Sequence, residues 1–363
     1  MTLSTDLLFE PVQLGSLHLP NRVVMAPMTR SQSPNGVPTD QVADYYARRA
    51  ANGVGLIITE GVLIDDPAAG GYPNCPLMYG DAPLTGWRKV IDAVHATGSR
   101  IMPQIWHVGE VHHLGQPPNP EHPGLGPSEV WDGDRLLVRA MSEETDIPRI
   151  IDAYAAAARN ARDTGFDGVE IHGAHGYLID QFLWERTNTR TDKYGGNFAN
   201  RLRFAVEVVA ATRSAVGADF PILFRFSQWK PQDYQTRLVD SPEGLAELLL
   251  PLKQAGVDIF HASNRRYQDP EFPGSSLNLA GWTKQLTHCP TITVGSIGLD
   301  DLSWSKADPT GIDPLLERLA RNEFDLVAVG RALLADPAWA RKIRQGAFQE
   351  LIPYRKEMLQ RLD

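Results

Sequence analysis

Short apolar runs and amphipathic segments alternate along almost the whole chain. Ile147, Ile150, Ile151, Tyr154, Ala158 and Ala161 keep the three-and-four spacing of one helix face. Gly165 follows as a left-handed stop, and Asp167 leads into the run GVEIH. The unit returns with Leu245, Leu248, Leu249 and Leu252, then Gly256 and Asp258 before IFHAS. It returns again with Leu315, Leu316 and Leu319, then Asp325 before LVAVG. Trp87, Val90, Ile91 and Val94 form a further helix, stopped at Gly98 and followed by RIMPQIW. Eight strands are predicted, over 23–26, 54–59, 100–106, 168–172, 221–226, 257–262, 290–295 and 325–330. Helices fill the intervals between them, most weakly near Ala280–Thr287. Apolar runs with little polar alternation, separated by helices, point to parallel strands buried on both faces. Eight such units predict an α/β fold of the (β/α)8 barrel type. A doubly wound sheet would want a GxGxxG turn after the first strand, where this chain reads APMTR.

Nothing in the sequence divides the chain, so one domain is expected over residues 1–363. Phe9, Val12, Leu14, Leu17 and Leu19 flank Gly15-Ser16, which predicts a hairpin over about 9–20 that plugs the barrel's bottom. Two connections are long: a Pro- and Gly-rich excursion over 107–146 after the third strand, and a loop over 263–279 after the sixth. Long loops on a barrel usually shape its active face. Hydrophobic residues at 42% and charged residues at 22% are a globular composition, which excludes a disordered chain. With 35 basic and 44 acidic residues the net charge is -9, and no Lys/Arg run invites nucleic acid or an anionic membrane. Two cysteines, Cys75 and Cys289, are too few for a disulfide scaffold, an iron–sulfur cluster or a four-thiolate zinc site. No apolar stretch approaches a membrane span, and the first ten residues lack the pattern of a secretory signal, so a cytoplasmic protein is expected.

Chemistry in such barrels sits where the strands end. Those positions hold Thr29, Glu60-Gly61, Gln104 with Trp106, His172 with His175 and Tyr177, Arg225, Gly295-Ser296 and Gly330-Arg331. The absence of a strand-end lysine disfavours a Schiff-base aldolase, and the absence of clustered carboxylates disfavours two-carboxylate sugar hydrolysis. VGS and VGR close the last two strands, where this fold commonly binds phosphate; glycine admits a backbone N–H and Arg331 adds a cationic fork. Two imidazoles three residues apart, with a tyrosine, either donate to one oxygen or ligate a metal. A metal needs a third ligand, which His107, His112 or His113 could supply, so a metal-dependent hydrolase is a separate hypothesis.

At these residues the chain resembles the old yellow enzyme family, FMN-dependent ene-reductases of the NADH:flavin oxidoreductase group. The matching blocks are NRVVMAPMTR (21–30), GLIITEG (55–61), GYPNCPLMYGD (71–81), QIWHVG (104–109), GVEIHGAHGYLIDQFLWERTNTRTDKYGG (168–196), ITVGSIG (292–298) and VAVGRALLADP (327–337). They run in order from about residue 9 to 345.

The resemblance implies non-covalent FMN at the barrel mouth and NAD(P)H as reductant. It implies Pro27 and Met28 in backbone contact with the flavin, Thr29 donating to flavin O4, and Gly61 lying against the ring. Gln104 would read the pyrimidine edge, and Arg225 would face N1/O2 and favour the reduced anion. Gly295, Ser296, Gly330 and Arg331 would hold the phosphate. His172 and His175 match the donors to the substrate oxygen, Tyr177 the proton donor, and Trp106 and Tyr72 the pocket walls. The implied reaction is ping-pong. Hydride passes from NAD(P)H to flavin N5, then to the β-carbon of an alkene activated by a carbonyl or nitro group. Tyr177 protonates the α-carbon, and the histidines stabilise the developing charge. The partners are then activated alkenes and nicotinamide, with no metal, no nucleic acid and no membrane, and with room for a homodimer. VVMAPMTR lacks the cysteine that a second group of the family carries near the flavin edge. Cys75 and Cys289 match no functional slot. The 263–279 loop, with Arg265, Arg266, Tyr267 and Phe272, fits neither group. A 2,4-dienoyl-CoA reductase-like enzyme would be expected to carry a cysteine-rich iron–sulfur segment after the barrel, and the two cysteines here are too few to supply one.

Overall fold

All eight predicted strands pair in the computed structural model, which describes residues 4–300 and 303–363. Residues 1–3, part of the stretch read for a leader, and residues 301–302 of the expected 1–363 span lie outside the described residues. The strands are β1 (Val23–Met25), β2 (Leu56–Leu63), β3 (Arg100–Trp106), β4 (Val169–Gly173), β5 (Ile222–Phe226), β6 (Ile259–Ser263), β7 (Thr291–Val294) and β8 (Leu326–Val329). They close into a barrel in chain order, every pair parallel, with Val327 of β8 opposite Val23 of β1. Helices α1 (Asp40–Ala51), α2 (Asp81–His95), α3 (Asp146–Thr164), α4 (Phe198–Val216), α5 (Pro242–Ala255), α6 (Leu279–Thr287), α7 (Asp313–Ala320) and α8 (Trp339–Arg344) surround it. Among the described residues no helix is long and apolar enough to cross a membrane.

The strands read as unbroken apolar runs because both faces are buried. Val23, Met25, Ile57, Ile101, Phe224 and Phe260 point outward into the helix layer. Val24, Leu56, Ile58, Met102, Leu223, Ile259, Ile292 and Leu326 fill the interior together with Leu14, Leu17 and Leu19 of the N-terminal hairpin, which plugs the bottom as expected. Gly165 ends α3 at φ 108, as its place in the pattern predicts. The weakly patterned α6 forms all the same. Asn278 caps it by accepting the Gly281 N–H at 2.8 Å, and Leu279, Ala280, Thr283 and Thr287 are buried.

The aspartates that lead into β4, β6 and β8 share one job. Asp167 accepts the N–H of Ile101 at 2.8 Å, Asp258 that of Ile222 at 2.8 Å, and Asp325 that of Thr291 at 2.9 Å. Each closes the free N-terminal edge of the preceding strand and is paired with a cation or imidazole: His95 and Arg100, Arg213, and Lys284. In the first pair of strands Asn21 acts instead, its Oδ1 taking the Val23 N–H at 2.9 Å.

Two boundaries differ from expectation. β2 runs on to Leu63, with its register against β3 shifting between Ile58 and Gly61. There Thr59 Oγ1 accepts the Gln104 N–H at 3.4 Å, and buried Glu60 accepts the N–H groups of Arg30 (2.8 Å) and Ser31 (3.1 Å). Side chains thus replace ladder bonds and let the strand continue past a polar pair. The 107–146 excursion is structured too, holding a small three-stranded sheet of Gly124–Gly126, Val130–Asp132 and Arg135–Ala140.

Candidate active site

The inward phase that is apolar at the bottom of β3 to β6 turns polar two residues higher. Met102 is followed by Gln104, Leu223 by Arg225, and Ile259 by His261 and then Ser263; β4 contributes Glu170 and His172. Register sets them side by side: Gln104 opposite Glu170, His172 opposite Arg225, and Arg225 opposite His261. Glu170 and His261 have no exposed side-chain surface. The Glu170 carboxylate accepts from Gln104 Nε2 at 2.7 Å and from His261 Nδ1 at 2.6 Å.

That network leaves nitrogen atoms unanswered. His172 Nδ1, Arg225 Nε and His261 Nε2 are buried without a hydrogen-bond partner. Buried polar atoms are normally paired, so each is a place for a polar ligand atom. Burial drives the pKa of His172 and His175 well below the usual imidazole range, and the nearby Arg225 charge pushes further the same way. Both rings are therefore neutral, each with one N–H to give. Burial also lowers the Arg225 pKa, against the opposing pull of the Glu170 carboxylate.

β4 ends in the turn that carries His175 and Tyr177. His175 adopts φ 61, uncommon for a side-chain-bearing residue. Its N–H donates to Ser227 Oγ at 3.1 Å, and its Nε2 lies 2.8 Å from Ser263 Oγ. The expected convergence is thus partial. The two imidazoles lie 5.2 Å apart at 83°, with His172 Nδ1 free of partners and His175 engaged by Ser263. Tyr177 packs 5.1 Å from His172, and its hydroxyl lies 3.2 Å from that of Tyr72. Burial, reinforced by Tyr72, raises its pKa far above the ordinary phenol value.

Trp106 stacks between Tyr72 (6.0 Å, 5°) and His172 (5.9 Å, 11°). Gly61 has a close neighbour within the protein itself. A Cβ there would lie 2.3 Å from the Trp106 indole, so the close approach that demands glycine is to Trp106. Gln104 likewise commits its amide nitrogen to Glu170, so its amide is not wholly available to read a ligand edge.

Beside this aromatic group a cavity opens across the C-terminal mouth. On the β4–β6 side His175, Arg225, Trp229 and Ser263 line it; on the β7–β8 side Gly295, Ser296, Gly330 and Arg331 do; Pro27 and Met28 complete it from β1. Thr29 follows half-buried. Gly295 has φ 140, and a Cβ would stand 2.8 Å from the Asn264 carbonyl, so no other residue fits that turn. Arg331 reaches the Ser303 carbonyl at 3.3 Å and packs over Trp304 and Tyr354.

Glu170, His261, Ser227, Trp229 and Ser263 were not among the expected site residues. The signal for Glu170, His261 and Ser263 was present as inward polar positions at every second residue, in GVEIH and IFHAS; Ser227 and Trp229 lie in the loop after β5, where no periodicity marks them. The apolar residues between the inward positions give both runs the look of uniformly buried strands. Two of the three candidate third ligands of the metal reading are engaged elsewhere: His107 is bonded to Asp66 (3.2 Å) and His112 to the His122 carbonyl (3.1 Å). Among the described residues no group of three or more His, Cys, Asp or Glu is arranged to hold a metal ion. Both cysteines are buried, and burial raises the Cys75 thiol to about 12.

Glu170 also makes a stability prediction. Glu170→Ala strips two buried donors of their acceptor and leaves the Arg225 charge uncompensated. Unfolding in urea should show a loss of about 3–5 kcal/mol, the range for breaking a buried charged pair; a loss below about 1 kcal/mol would contradict the network described.

A parallel eight-stranded barrel with a glycine-lined, cation-bearing cradle at β7–β8 and neutral imidazoles at β4 has its polar groups gathered at the end where barrels of this fold class bind their ligands. More narrowly, the chain belongs to the NADH:flavin oxidoreductase / NADH oxidase family, whose profile matches residues 7–350. It is 46% identical over 215 residues to putative 12-oxophytodienoate reductase 2 of Oryza sativa subsp. japonica, covering 58% of this chain and 57% of that protein. It is 36% identical over 358 residues to the NADH oxidase of Thermoanaerobacter brockii, covering 95% of this chain and 52% of that one. The chain thus spans little more than half the length of these curated relatives. Among solved structures, morphinone reductase in complex with tetrahydroNAD superposes with a TM-score of 0.78 at 34% identity, covering 94% of this chain and 91% of that one. The residues present fit the family's flavin, FMN. The orphaned Arg225 and His261 nitrogens suit a ring edge rich in polar atoms, and the Gly295 turn with Arg331 suits a phosphate.

Proposed function

We propose that this protein is an FMN-dependent ene-reductase that uses NAD(P)H to reduce the C=C bond of alkenes activated by a carbonyl or nitro group. The observation that carries the reading is the single cavity that joins His175 and Arg225 to the Gly295, Ser296, Gly330 and Arg331 cradle. The relatives' names as reductases and an NADH oxidase support it, as does the tetrahydroNAD complex of a structural neighbour.

In this reading FMN is held non-covalently by Pro27, Met28, Thr29, Gly61, Gln104 and Arg225, with its phosphate at Gly295, Ser296, Gly330 and Arg331. When bound, FMN supplies the redox chemistry, accepting hydride from NAD(P)H and returning it to the alkene's β-carbon. His172 and His175, both neutral, donate to the substrate oxygen and stabilise the charge that gathers there. Tyr177, kept protonated by burial and by Tyr72, gives its proton to the α-carbon. Trp106 and Tyr72 wall the substrate space. One pocket serves nicotinamide and alkene in turn, which makes the kinetics ping-pong. The same reading expects a cytoplasmic enzyme and leaves room for a homodimer.

Two measurements test it. Anaerobic mixing with NADH or NADPH should bleach the bound flavin, and an enone should restore its colour; an enzyme reduced by neither nicotinamide overturns the proposal. Arg331→Ala should weaken FMN binding roughly 10- to 100-fold, the worth of one charge-assisted hydrogen bond. Titration of the apoprotein with FMN reads this, and unchanged affinity would remove Arg331 from the phosphate site.

A further inference from the structure

Behind the turn that carries His175 and Tyr177 lies an ion pair that the reaction does not use. Lys230 Nζ and Asp180 Oδ1 are 2.7 Å apart, and neither side chain has any exposed surface. Neither residue lines the cavity. Withdrawing both charges from water costs several kcal/mol per ion, so such a pair adds little to stability, and its worth lies in the geometry it enforces.

That geometry is specific. The remaining Lys230 donors reach the carbonyls of Ser227 (3.4 Å) and Gln228 (3.3 Å), in the loop after β5. Asp180 turns its other oxygen to the N–H of Gly176, at 2.7 Å, between His175 and Tyr177. The pair thus fastens the turn after β4 to the loop after β5. Both sides of the fastening bear site groups. Ser227 Oγ accepts the His175 N–H at 3.1 Å and donates to the Trp229 carbonyl at 2.9 Å. The Trp229 ring in turn packs 4.7 Å from the His175 ring. The turn itself needs holding. His175 and Gly176 lie consecutively in the left-handed region, at φ 61 and φ 72, and for a residue with a Cβ this costs on the order of 1–3 kcal/mol unless its surroundings enforce it.

We propose that the Lys230–Asp180 pair is a positioning clamp that fixes His175 and Tyr177 relative to each other and to the β5 loop, so that oxygen donor and proton donor meet one substrate. The role in catalysis rests on the ene-reductase reading; the clamp itself does not. A misplacement of about 1 Å in a reacting group can cost on the order of 100-fold in rate, which is the scale at stake.

The test uses FMN-loaded enzyme and three proteins: the parent, Lys230→Met, and the double variant Lys230→Met/Asp180→Asn. Lys230→Met strands a buried carboxylate and should be much less stable. The double variant removes both charges while keeping an acceptor for Gly176, so its urea midpoint should return close to the parent's. If the pair positions, the double variant should still show roughly 10- to 100-fold slower enone turnover. Amide hydrogen exchange at His175 and Gly176 should also be at least about 10-fold faster, with the barrel strands unchanged. If activity and exchange both recover with stability, the pair is structural only and the proposal is overturned. Fast exchange with parental enone turnover also overturns it. If the parent itself fails to reduce enones, the functional reading fails, while the exchange comparison still decides for or against the clamp.

Discussion

Replacing His172 by alanine is expected to lower enone turnover by a factor on the order of 10²–10³, the usual loss when one donor to a developing oxyanion is removed. His172 is buried at the level of Arg225, its ring is neutral, and its Nδ1 has no protein partner to satisfy. The vacancy left by alanine therefore strands no known partner of Nδ1, and the protein should fold and take up FMN. Phenols, whose oxygen resembles the enolate, should bind correspondingly more weakly. Spectral titration with a phenol and steady-state enone kinetics read the two effects together. A variant with parental turnover and parental phenol affinity would remove His172 from the oxyanion site.

Tyr177→Phe should separate the two halves of the cycle. The phenol is needed only once the alkene is being reduced, so reduction of the flavin by nicotinamide should stay within a few-fold of the parent. Enone reduction should fall on the order of 10²–10⁴, the range for losing a positioned general acid. Nitroalkenes should suffer least, because a nitronate product is stable enough to leave and be protonated in water. Stopped-flow traces of each half-reaction give the comparison. Equal slowing of both would show that Tyr177 shapes the pocket without supplying the proton.

The barrel was legible because its determinants are local. Helix periodicity, glycine stops such as Gly165 and leading aspartates such as Asp167 each act within a few residues. The order of strands then follows from the fold's rule that neighbours in sequence pair in space. The rim groups His172, His175, Tyr177, Arg225, Gly295 and Gly330 were legible because polar or glycine residues at the ends of apolar strands stand out. What could not be read was whatever depends on partners distant in sequence. Glu170 looks like one acid in an apolar run until β3 and β6 bring Gln104 and His261 against it, 66 and 91 residues away. The space filled beside Gly61 belongs to Trp106, whose ring direction no local pattern specifies. The run of β2 past Glu60 depends on the backbone of Arg30 and Ser31, which arrives from another strand's end.

The carboxylates of Asp167, Asp258 and Asp325 close strand edges at the face opposite the cavity, each with its own basic companion. Closure of the barrel is thereby anchored where no substrate ever comes. Selection acting on the mouth, for instance on the 263–279 loop beside the cavity, can rewrite recognition without loosening these staples. The molecule separates what must be inherited unchanged from what is open to trial, and exchanging its rim loops with those of a relative should alter substrate range well before it threatens folding.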